Sequence, residues 1–139
     1  MAAIVLQRLA ILTENEDYRN LAIAVLSQMA DSVRKYPSGF GYALSAVDFL
    51  LAMPKEIAVV AADQTSLNVF LSDIWAKYLP NKVVAARLNE QKSDSRFALL
   101  RNRGMIDNKT TAYVCENYVC SQPVVNLEGL RQQLNSLTA

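Results

Sequence analysis

Both cysteines of the chain lie in the stretch "TTAYVCENYVCSQPV" (110–124), where four residues separate Cys115 from Cys120. A thiol pair can be a redox couple, half of a metal site, or two groups that fill a core. In a straight strand, residues five apart point to opposite faces, and on a helix they lie about 140° apart, so the sulfurs meet only if "ENYV" turns. Redox motifs that activate a thiol at a helix N-terminus place two residues between the cysteines, so that the dipole and free amides lower the thiol pKa. Four intervening residues, with no helix start before Asn126, do not reproduce that arrangement. The ordinary reading is structural thiols packed in or near a core; a disulfide or switch comes next, and a metal site or catalysis last.

The exit of an apolar run at "AADQTS" supplies a second candidate. In open α/β sheets ligands bind beyond the carboxyl ends of the strands, which places Asp63, Thr65 and Ser66 where a substrate or phosphate could meet a helix N-terminus. The same residues are what a helix start needs for capping, and no glycine-rich cradle accompanies them, so capping is the ordinary reading. Asp48 is a lone acid in an apolar segment; without a second carboxylate or a base it makes no acid/base pair, and a hydrogen-bonded or edge-exposed side chain is expected. Arg96, Arg101 and Arg103 form the one local basic cluster, for which a solvated helix face is the ordinary reading.

The chain has 139 residues, 52% of them apolar, and no histidine. That excludes Ser-His-Asp and Cys-His sites within it and removes the commonest metal ligand, so no metal centre or cofactor is expected. Two cysteines cannot fill a four-ligand zinc site without carboxylates or a second chain. They are also too few to mark a secreted disulfide scaffold, so the cytoplasm is the expected compartment. Fourteen Lys and Arg against thirteen Asp and Glu leave a net charge of +1 with no like-charged block, which gives no footprint for nucleic acid or an anionic membrane. The apolar runs fall short of a membrane span, and the N-terminal one lacks the basic leader of a signal peptide.

The elements that must position these residues change period midway. "AAIVLQRLAIL" is apolar on most faces and predicts a helix buried on more than one side. Thr13 and Glu16 have capping-box spacing, which opens a second helix near Glu14. Its apolar stripe is Tyr18, Ala22, Val25, Leu26, Met29 and Val33. "YPSGFG" ends it, and "YALSAVDFLLAM" predicts a third, largely covered helix. From Pro54 onward, the runs 57–62 and 83–88 read as strands buried on both faces, joined by a helix whose apolar face is Leu67, Phe70, Leu71, Ile74, Trp75 and Tyr78. A short helix in "RFALLRNR", capped at Gly104, leads to a third strand, "TTAYVC". Pro123 and the cap candidate Asn126 introduce an amphipathic terminal helix. The expected fold is therefore α/β: about three N-terminal helices (1–53) packed on a small three-stranded, mainly parallel βαβαβ sheet with a C-terminal helix (54–139), together one compact unit.

"PKEIAVVAAD", "YLPNKVVAARL" and "TTAYVCENYVCSQPVVNLEGLRQQL" resemble the C-terminal end of a family of long thioredoxin-domain-containing proteins, the family that includes spermatogenesis-associated protein 20. The specific part is Tyr-Val-Cys-x-Asn-x-x-Cys-x-x-Pro, here Tyr113, Val114, Cys115, Asn117, Cys120 and Pro123. The segment from Leu12 to Pro54 resembles the last helices of the family's middle region, a six-hairpin (α/α) toroid of the sugar-epimerase and glycosidase kind. The resemblance implies a C-terminal fragment that acts as a structural or interaction module, with no complete active site of its own. Its implied partner is the rest of the longer chain, and its exposed apolar helices would favour self-association. The alternative it leaves open is a contribution to a sugar-processing or thiol-redox enzyme through Cys115 and Cys120 or through the Asp63 loop.

Overall fold

A computed structural model describes residues 1–89, 97–117 and 119–135. Apolar spacing folds the N-terminal part into three helices: α1 (Ala2–Thr13), α2 (Glu16–Lys35) and α3 (Gly41–Leu51). Asn15, not the expected Thr13, caps α2, its side chain accepting a hydrogen bond from the Asp17 amide. Thr13 belongs to α1, where its hydroxyl donates to the Leu9 carbonyl, and Glu14 between the helices is left-handed. The chain therefore enters α2 two residues later than the capping-box spacing implies. Ala3, Ala22, Leu26 and Ala46 form the small core that joins the three helices.

Next come β1 (Lys55–Ala61), α4 (Gln64–Ala76), β2 (Lys82–Leu88), β3 (Thr111–Glu116), β4 (Val119–Cys120) and α5 (Leu127–Asn135). The sheet has four strands in the order β2-β1-β3-β4. β1 and β2 run parallel, as expected for a βαβ unit, but β3 is antiparallel to β1, and β4 to β3. This corrects the three-stranded, mainly parallel sheet. The cause lies between β2 and β3, where a full helical crossover would be needed to return the chain parallel. Among the described residues of "RFALLRNR" there is only a 3-10 turn at Ala98–Leu100, and Gly104 caps no helix.

All seven residues of β1 are buried, including Lys55 and Glu56 at its start. One face of the sheet carries Ile57, Val59, Ala112 and Val114 under α4 and α5. The other carries Ala58, Val83 and Ala85 under Phe49, Leu99 and Leu100. Two of the residues assigned to the α4 core face, Trp75 and Tyr78, are 59% and 89% exposed. α4 ends at Ala76, and the Lys82 ammonium lies 4.5 Å above the Trp75 ring while donating to the Ile74 and Lys77 carbonyls. A cation at the carbonyl end of a helix complements its dipole, so this aromatic serves the helix terminus rather than the core. Burial pushes the Lys82 amine below its ordinary pKa, with Arg8 adding repulsion. Asn126 opens α5, its side chain accepting from the Gly129 amide. A Cβ at Gly129 would lie 3.1 Å from Val124, so glycine keeps the cap close.

Candidate functional site

β3 brings Cys115 opposite Glu56 and Tyr113 opposite Ala58 across the β1 ladder. Beyond Glu116 the chain turns through Asn117, whose φ of 48° lies in the left-handed region that asparagine tolerates. The register then aligns Cys115 with Cys120 and Glu116 with Val119. The chain thus returns antiparallel between Glu116 and Val119 as a tight hairpin, and cross-strand partners in a hairpin share a face. Cys115 and Cys120 are joined as a disulfide. The packed free thiols expected as the ordinary reading are therefore not what forms. Cys115 is fully buried and Cys120 exposed, so the bond has one sheltered and one accessible end.

Arg103 covers this bond. Its Nη2 donates to Cys115 Sγ and to Cys120 Sγ, each at 3.2 Å. Its guanidinium carbon lies 5.3 Å from the centre of the Tyr113 ring. Two contacts fix the backbone that carries it: Arg87 Nη2 donates to the Arg103 carbonyl at 2.7 Å, and Tyr113 Oη donates to the Gly104 carbonyl at 2.8 Å. Burial pushes the Arg103 guanidinium below its ordinary pKa, while the Glu56 carboxylate, Tyr113 and Glu14 pull it back up. Arginine stays charged under such a shift. Nη1 is buried and has no hydrogen-bond partner among the described residues. The expectation of a solvated basic helix face is thus corrected for Arg103. It holds no further than Arg101, which is exposed and pairs with Glu14 at 3.3 Å; Arg96 lies outside the described residues.

A cleft of ~240 Å³ opens beside the hairpin, lined in part by Gln7, Phe49, Met53, Glu56 and Asn117. Gln7 is buried and donates to the Ala46 carbonyl at 2.9 Å, which ties α1 to α3.

The Asp63 loop lies elsewhere. The antiparallel register places the start of β1 beside the end of β3, so Asp63, which follows the end of β1, is at the opposite end of the strands from the disulfide. There Asp63 caps α4: Oδ1 accepts from the Ser66 amide at 2.8 Å and Oδ2 from the Ser66 hydroxyl at 2.9 Å. These bonds hold its carboxyl below the usual value, and Thr65 is exposed. Asp48 is exposed too and accepts from Asn81 Nδ2 at 2.8 Å. Among the described residues no three His, Cys, Asp or Glu side chains gather in a way that could hold a metal ion, and no helix is long and apolar enough to cross a membrane.

Glu56 is the site residue that the sequence does not single out; Tyr113 stands out there only as part of the cysteine motif, and Arg103 only as one of a basic cluster on a solvated face. One signal was present: "PKE" places two charges directly ahead of a strand buried on both faces, and buried charges require partners.

The helical layer presents a second feature. Leu44 and Leu51, seven residues apart on α3, are 41% and 79% exposed, which corrects the expectation of a largely covered third helix. An apolar groove of ~310 Å³ runs where the starts of α1 and α3 meet the middle of α2, bordered by Val25, Met29, Phe40 and Tyr42.

No family model matches the chain, and no solved structure matches it. Spermatogenesis-associated protein 20 of Rattus norvegicus and that of Homo sapiens are each 24% identical to it over 133 residues, covering 94% of the chain. The Mus musculus protein is 23% identical over 146 residues. The chain spans only 17% of the length of these relatives, so it shows weak homology, along nearly all of its own length, to one portion of a much longer protein.

Proposed function

We propose that the chain is the C-terminal module of a longer protein and that the preceding part of that protein covers its helical layer. The observation that carries this is the apolar surface of the helical layer: the groove bordered by Val25, Met29, Phe40 and Tyr42, and the exposed Leu44 and Leu51 elsewhere on α3. Contiguous apolar surface is costly to leave in water, at about 25 cal/mol per Å², and its usual meaning is an interface. The length of the relatives supports the choice of occupant, since most of such a protein lies outside the region matched.

In this reading residues 1–53 are the closing helices of an (α/α) toroid, and residues 54–139 form an α/β cap on its end. The thioredoxin-like domain lies further upstream, and the module works in the cytoplasm as a structural and docking element. The isolated chain then self-associates through the same face. Reading the genomic frame upstream of Met1 tests the proposal: an open frame that continues into a large helical domain is the expected result, and an in-frame stop immediately ahead of Met1 contradicts it.

A further inference from the structure

We propose that the Cys115–Cys120 bond is a thiol–disulfide exchange site that accepts electrons from a dithiol, entered at Cys120 and leaving Cys115 as a thiolate under Arg103. The two ends of the bond differ in access: Cys120 lies on an exposed two-residue edge strand, whereas Cys115 is fully buried. An incoming thiolate therefore reaches the Cys120 sulfur. Its attack forms a sulfur–sulfur bond to Cys120, breaks the bond to Cys115, and leaves the electron pair on Cys115 Sγ. The second thiol of the donor, as thiolate, then attacks the donor's own sulfur in the mixed disulfide and releases Cys120, which takes a proton from water. The donor ends as a disulfide, having given two electrons.

Arg103 is placed for the first of these steps. A neutral disulfide gains little from a half-buried guanidinium, but a sulfur on which negative charge develops gains a great deal, and leaving thiols of lower pKa depart faster. Nη2 already lies 3.2 Å from Cys115 Sγ, and Nη1 is a buried donor on the same group with no partner among the described residues. The hairpin does not depend on the bond alone, since Ser121 donates to the Val114 carbonyl and residues 112 and 124 form a bridge. Reduction thus leaves the sheet in place and frees the exposed end of the hairpin beside the ~240 Å³ cleft. A bond opened in this way suits a reducing compartment, where the disulfides that persist are transient or sensing ones.

The test treats the native chain with excess glutathione, quenches with iodoacetamide, and maps the adducts by peptide mass. Dithiothreitol reduction rates are measured in parallel across sub-denaturing urea. The expected result is glutathione on Cys120 and a carbamidomethyl group on Cys115, with a rate that does not depend on urea below the unfolding transition. Arg103→Gln slows reduction about tenfold, and Arg103→Lys restores most of the rate. Glutathione on Cys115, a rate that rises with urea as global unfolding does, or an unchanged rate in Arg103→Gln overturns the proposal. Should Arg103→Gln fail to fold, the adduct position and the urea dependence in the unaltered chain decide the matter.

Discussion

Arg103 and Cys115 lie twelve residues apart in sequence, in a loop and a strand, and their side chains meet at 3.2 Å with a second 3.2 Å contact to Cys120. The hairpin aligns the two sulfurs, Tyr113 and Arg87 fix the loop, and the guanidinium spans the bond between them.

The disulfide closes a loop of only a few residues, so it restricts the unfolded chain modestly. Reducing it, or replacing Cys120 by Ser, lowers stability by about 2 kcal/mol. Urea unfolding with and without dithiothreitol measures this, and the reduced chain is expected to keep its far-UV circular dichroism spectrum in the absence of urea.

Tyr113→Phe removes the hydroxyl that holds the Gly104 carbonyl. A loss of about 1 kcal/mol is expected, typical of one hydrogen bond at a half-buried site. Chemical denaturation of both proteins at one pH gives the difference directly.

Leu130 is fully buried under the sheet, in the core that also holds Ile57, Ile74 and Val114. Leu130→Ala leaves a cavity there and costs about 3 kcal/mol. Hydrogen exchange should speed up across α5 and β3 together, because α5 covers that strand.

Asp63 caps α4, and its carboxyl sits below the ordinary carboxylate value. A depressed carboxylate stabilises the fold at pH above its unfolded value, and that stabilisation is lost as pH falls through the folded value. Asp63→Ala is therefore less heat-stable than the unaltered protein at neutral pH, and the gap narrows below the usual carboxylate range. Asp63→Asn, which caps as well as Asp, should keep most of the neutral-pH melting temperature. Thermal melts from pH 7 down to pH 3 read all three proteins.

Much of this fold was legible from period alone. The three N-terminal helices, β1, α4, β2, β3 and α5 all lie where apolar spacing put them, and Asn126 caps α5 as its position implied. Strand direction was not legible, because an apolar run such as Ala112–Cys115 is buried on both faces whichever way it runs. β4 was invisible for the opposite reason: Val119 and Cys120 are exposed and too few to show an alternation. The site was legible in half. The cysteines announced themselves, and their pairing hung on whether "ENYV" turned. Arg103 looked like one of several surface cations, since only the antiparallel return of β3 brings Tyr113 and Cys115 beneath it.

Light scattering of the purified chain, combined with titration of a dye that reports apolar surface, tests the docking role most directly. The proposal predicts concentration-dependent self-association and dye binding, both strongly reduced in a Val25→Glu, Leu44→Glu double variant that keeps its circular dichroism spectrum. A monomer at all concentrations that binds no dye would contradict it.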